Sequence, residues 1–343
     1  MCNSKGNVIK LKGLGRFGVR ASCFLLFVFL MNSCQQEQHR DDSVSEKSNE
    51  SESQEIKSSN KLTILFAGDL LLDRGVRKQV ERKGFDHLFS GVDSLIQQHS
   101  YFIVNLETPL TEIKSPLNKK YIFRSDPEHA KGLKSHGVTH AILSNNHSMD
   151  QSKDGLEDTK NHLTRAGIQS IGYGENVRSF CSPTLIQNEK DTVALFGSVQ
   201  IPVENWFQVD DQPGICQMQG EELENYIQNY HQLHPNYLII VNLHWGLEYL
   251  SAPNFTQIQH AKNLIDAGAE LIVGHHPHVI QSTQEYNGKM IYYSIGNFIF
   301  DSTHPNSKKA FLISVEIDET GKLISKPIKI QIENCRPELV HPN

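Results

Sequence analysis

Five short apolar runs in this chain each end on a residue that binds metals or moves protons: Asp69, Glu107, the pair Asn146-His147, His244 and the triplet His276-Pro277-His278. Carboxylate, amide oxygen and imidazole together suit divalent Zn, Mn or Fe rather than a thiolate-selected metal. No Cys-x-x-Cys pair in the sequence argues otherwise. In extended backbone, side chains at i and i+2 project to one side, so His276 and His278 are expected to address one centre. Pro277 biases His276 away from helix. By the same alternation His275 faces the opposite way, as a supporting or spare residue. His244 closes a strongly apolar run and reads as a ligand; Glu248, four residues on, reads as a substrate contact, an orienting partner or a solvated loop residue. Asp69 follows Gly68 and serves as a ligand, as the N-cap of the next helix, or as both. Asn105 and Glu107 stand two apart at one strand end, Glu107 as a carboxylate ligand and Asn105 as a substrate contact or a backbone partner. Asn146-His147 offers an amide oxygen beside an imidazole, with Asp150 close enough to orient the ring.

The elements that must position these residues are the runs themselves: TILFAGD (63–69), YFIVNLE (101–107), HAILSNNH (140–147), YLIIVNLHWG (237–246) and ELIVGHHPH (270–278). Each is short, rich in β-branched or aromatic residues and stopped by Gly, Asn or His, as strands buried on both faces are. Ligands gather at the carboxyl ends of such strands, so the five termini are expected to meet in one crevice. Helix-like segments HLFSGVDSLIQQ, LEDTKNHLTRAG and FTQIQHAKNLIDAG alternate with them, which argues α/β. AFLISVEID and LISKPIKIQIE, separated by Glu319-Thr320-Gly321-Lys322, read as an antiparallel hairpin completing a second sheet. Residues 61–343 are read as one domain, without internal repeats.

The ordered set AGD, NLE, SNNH, LHWGLEY, GHHPHV and YYSIGNF, from Lys61 to about Asp301, resembles the CapA family of capsule or poly-γ-glutamate synthesis proteins, within the calcineurin-like metallophosphoesterase superfamily. The resemblance implies a four-layer α-β-β-α sandwich. It also implies that Asp69, Glu107, Asn146, His244, His276 and His278 stand where the superfamily puts metal ligands, and that His147 stands where it protonates the leaving group or steadies the transition state. The chain departs from that pattern in three places. Leu70 and Leu71 follow Asp69 where Asp-x-His supplies an imidazole, Glu107 replaces a bridging Asp, and Ser148 replaces a Glu. Two ions, or one firmly held and a weaker second, both fit this set. The implied chemistry is metal-assisted hydrolysis or transfer on phosphate esters, or on an anionic γ-glutamyl capsule polymer or its precursor, within a capsule synthesis or export complex. Arg74, Arg124 and Lys120 lie near the motifs, and Arg124 is the preferred anion contact. Asn297 and Gly296 are expected to line the same crevice. A non-catalytic polymer-binding or export component with a degenerate metal site is the alternative reading.

Residues 1–20 carry Lys5, Lys10, Lys12, Arg16 and Arg20 without an acid and precede ASCFLLFVFLM, the pattern of an exported lipoprotein signal over residues 1–33. Cys34 would then be the acylated first residue; the alternative is an uncleaved anchor, and both place the protein at the membrane of the bacterial cell envelope. Residues 34–60 are polar and acidic and read as a disordered tether. Cys181, Cys216 and Cys335 leave room for one disulfide that spacing does not select. A net charge of -6 offers no basic surface for nucleic acid.

Overall fold

The computed structural model describes residues 61–206, 208–209 and 211–340. The expected signal peptide, the Cys34 lipidation site and the tether lie outside the described residues.

All five apolar runs form strands, at Thr63–Leu70, Tyr101–Leu106, His140–Ile142, Leu238–His244 and Ala269–His275. The first three sit side by side in an eight-stranded sheet, and the last two are neighbours in a six-stranded sheet. Pairing among these runs is parallel within each sheet, so their carboxyl ends emerge together. Alternation along each strand sends its side chains to two different cores. Ile64, Phe66 and Ile103 face Leu195, Ile240 and Val273 in the cluster between the sheets. Leu65, Phe102 and Val104 instead pack under Val76, Leu133, Leu156 and Leu163, which come from the helices Arg74–Lys83, His129–Ser135 and Ser152–Arg165. On the far side, Ile239, Val241 and Ile272 pack under Leu223, Ile227 and Leu264, from Gly220–Leu233 and Phe255–Asp266. Three apolar cores between helices, sheet, sheet and helices make the expected four-layer α-β-β-α sandwich. Truncating a large side chain in the middle cluster, such as Ile240 to alanine, is expected to cost about 2–5 kcal/mol.

Two sequence expectations change here. The segment 87–98 is a single helix only in its pattern; Gly91 breaks it into a 3-10 turn at Asp86–Leu88 and one helical turn at Asp93–Ile96. The hairpin of Lys309–Ile317 and Leu323–Glu333 forms, but it extends the first sheet beside Thr63–Leu70 instead of completing the second.

Close backbone approach brings the strand ends together. A Cβ on Gly68 would lie 1.8 Å from the Gly296 carbonyl oxygen, and one on Gly274 2.0 Å from that of Tyr293. Only glycine lets those chains pass, and the Gly68 passage seats Asp69 directly opposite Asn297 in parallel register.

Candidate metal centre

Asp69, Glu107, His244, His276 and His278 converge at the strand ends and are all buried. Their ligand-type atoms fall into two triads, Asp69-Glu107-His278 and Glu107-His244-His276, each with all atoms within 4.8 Å of one another. Glu107 belongs to both. Asn146 stands beside the second triad, its Oδ1 2.9 Å from His244 Nε2. Both oxygens of the Glu107 carboxylate are buried without a hydrogen-bond donor, as is Nδ1 of His276. An unpaired buried carboxylate costs several kcal/mol, and divalent cations held in the two triads through this common carboxylate are the partners that the donor set fits.

Protonation in the site follows burial and charge. Burial, then the negative charge of Asp69, pushes the Glu107 carboxyl well above the ordinary range. Burial acts on Asp69 in the same sense, but the adjacent imidazoles of His275 and His278 overcome it and hold Asp69 well below that range. Burial and the neighbouring imidazoles hold His244 well below its usual value and His276 down at about 3. His278 is lifted to about 9 because Glu107 and Asp69 outweigh its burial. Neutral imidazole is the ligating form, so His244 and His276 are already in the state a metal needs.

The route by which these histidines reach the centre differs from the sequence expectation. The strand ends at His275, and His276 and His278 take positive φ values of 95° and 57°, so they are not i and i+2 of one extended segment. They enter different triads, with ring centroids 6.1 Å apart. His275 does not face away, because its Nδ1 lies 3.5 Å from Asp69 Oδ1. The N-cap of the following helix is Asp73, not Asp69.

Asn105 and Asn297, expected at the substrate, are fully buried behind the ligands. Asn105 Nδ2 donates to Asp69 Oδ1 at 2.7 Å and lies 3.2 Å from His244 Nδ1, while Asn297 Oδ1 lies 2.9 Å from His278 Nδ1. These contacts orient the ligating side chains. Asn145 continues the set, donating to Asn105 Oδ1 and to the Leu106 carbonyl.

Beside the centre lies a cleft of about 550 Å³ lined by Arg74, Phe123, His147, Glu248, Tyr249, His278, Phe300 and Asp301, among others. His147 Nδ1 is 2.8 Å from Asp150 Oδ2, and Asp150 also receives Lys119 Nζ at 2.8 Å and the Phe123 amide at 2.6 Å. Asp150 thus holds the ring with Nδ1–H engaged and leaves Nε2 for proton exchange. Burial lowers the His147 pKa, and Asp150 opposes that fall. Lys119, its side chain 3% exposed, was not foreseen. It sits in a polar run without periodicity, and only its position over Asp150 reveals it. Arg124 does not line the cleft, contrary to expectation; its guanidinium reaches the Thr111 carbonyl. Glu248 does line it, from an exposed turn. Trp206 packs against the helical side of the first sheet.

Backbone strain collects at the same place. Of nine described non-glycine residues with positive φ, Arg74, Tyr249, His276 and His278 line the cleft or supply candidate ligands. Each such residue costs about 1–3 kcal/mol and persists only where its surroundings hold it, as functional sites do.

The family described as "Bacterial capsule synthesis protein PGA_cap" matches residues 63–302. The chain is 33% identical over 286 residues to "Capsule biosynthesis protein CapA" of Bacillus anthracis, covering 82% of this chain and 70% of that protein. It is 31% identical over 274 residues to "PGA biosynthesis protein CapA" of Bacillus subtilis strain 168, covering 78% and 72%. Among solved structures it resembles a hypothetical protein from Thermus thermophilus, with TM-score 0.51 and 10% identity over 79% of this chain and 99% of the other, a likeness of fold alone.

Proposed function

The chain belongs to the bacterial capsule synthesis protein PGA_cap family, and from that premise we propose that it is a metal-dependent hydrolase or transferase acting on an anionic capsule polymer or its phosphorylated precursor. The observation that carries this reading is Glu107, one buried carboxylate with two unpaired oxygens shared by two ligand triads. Asp69, Glu107 and His278 would hold one ion, and Glu107, His244, His276 and Asn146 the other. Divalent ions there would polarise the carbonyl or phosphoryl oxygen of the substrate and activate water near neutral pH. His147, oriented by Asp150, moves a proton at Nε2 to or from the reacting group. Phe123, Tyr249 and Phe300 form part of the cleft wall.

The test is turnover of metal-loaded protein on aryl phosphoesters and on oligo-γ-glutamate. His147→Ala is expected to lower kcat about 100- to 10,000-fold while metal content is unchanged. Turnover by neither substrate in a fully metal-loaded protein contradicts the enzymatic reading and favours a polymer-binding or export role.

The same proposal places the protein in the cell envelope, anchored through acylated Cys34. The basic and apolar N-terminal segments support this, and so does the Cys181–Cys216 disulfide, since such bonds persist in exported proteins. Fatty-acid labelling that survives Cys34→Ser would overturn the anchor.

A further inference from the structure

Arg74 opens the helix Arg74–Lys83 with φ 51°, a left-handed conformation that favours glycine. Three contacts hold this unfavourable residue. The guanidinium carbon lies 4.9 Å from the Phe123 ring centroid and 5.5 Å from that of Phe300. Arg74 Nη2 is paired with Asp301 Oδ1, and the other Asp301 oxygen accepts the Gly75 amide at 2.8 Å. The helix N-cap, Asp73, also accepts the Arg124 amide, which ties the helix start to the chain that carries Phe123. The guanidinium is thus fixed in place while its side chain remains 40% exposed. Among the described residues lining the cleft, Arg74 is the one Lys or Arg.

We propose that Arg74 is the anion-capturing residue of the cleft and takes the carboxylate or phosphate group of the substrate beside the ligand triads. This rests on the reading of the cleft as a site for an anionic substrate and assigns its recognition to one side chain. A guanidinium offers five N–H donors in a planar fork, and the Asp301 contact engages only part of that capacity. The aromatic faces keep the fork oriented, so little side-chain freedom is lost on binding.

Calorimetric titration of metal-loaded protein with inorganic phosphate and with tri-γ-glutamate tests this. Arg74→Gln is expected to weaken binding about 10- to 100-fold, with metal content unchanged. Arg74→Lys, which keeps the charge but loses the planar fork, falls in between. Arg74→Gly relieves the positive φ, so it should lose binding without a lower melting temperature, which separates recognition from folding. The probe that shows the Arg74-dependent loss identifies the group as phosphate or carboxylate. Binding of both probes by Arg74→Gln within about threefold of wild type overturns the inference, as does a wild type that binds neither. A wild type that shows Arg74-dependent binding but no turnover contradicts the enzymatic reading alone.

Discussion

Two oxygens of one buried carboxylate, Glu107, find no hydrogen-bond donor, while Asp69, His244, His276 and His278 crowd around them. In metal-free protein this arrangement is unfavourable, because burial and the Asp69 charge push Glu107 toward its protonated form. Glu107→Gln should therefore leave the metal-free melting temperature equal or higher. It should also remove the stabilisation that saturating metal gives wild type, about 3 kcal/mol at a hundredfold excess over Kd. Differential scanning calorimetry with and without metal reads both effects, and an unaltered metal-induced gain in the variant would contradict the shared role of Glu107. At this scale the sequence showed the ligand types but not their partners. Asn105 and Asn297 were legible as polar residues at strand ends. Their burial behind Asp69, His244 and His278 depends on Gly68 passing Gly296, a contact between segments more than two hundred residues apart.

The strands were the most legible elements, because five apolar runs ending in chemistry-bearing residues are too short and too β-branched for helices. The turn after Ala269–His275 was not legible, since nothing local announces positive φ at two histidines; the approach of Gly274 to the Tyr293 carbonyl and a hydrogen bond from the Tyr249 amide to the Pro277 carbonyl hold it. The hairpin was read correctly as a pair of strands, but its sheet was not, because its apolar face fits either side of the middle core. His140, within a strand of the first sheet, carries a pH dependence of the element itself. Burial lowers its pKa to about 4, and its Nε2 is buried without a partner. The unfolded chain takes up a proton near pH 6.5 while the folded chain resists until about 4. This contribution is therefore fully present above pH 6.5 and is lost as pH falls toward 4, by about 3 kcal/mol in all. Replacing His140 with leucine should flatten urea-unfolding stability between those values; an unchanged slope would contradict the assignment.

Among the described residues, the two large sheets meet at one polar seam. Asp69 comes from the first sheet and Glu107 from the residue just after one of its strands, while His244, His276 and His278 come from the second sheet or the turn that follows it. Metal binding would therefore join the halves of the sandwich as well as supply chemistry. The disulfide Cys181–Cys216 closes a loop of 35 residues elsewhere, worth about 3–4 kcal/mol by chain entropy. Cys335 remains a buried free thiol. Sequence spacing could not choose among three cysteines, since their proximity is set by the fold. Elemental mass spectrometry of metal-saturated protein, after removal of free metal without a chelator, reads whether one carboxylate serves two adjacent ion sites. Wild type is expected to hold about two equivalents of Zn, Mn or Fe, Asp69→Asn or His276→Ala about one, and Glu107→Gln neither. Wild-type protein that retains no metal, or Glu107→Gln protein that keeps both equivalents, would contradict that shared role.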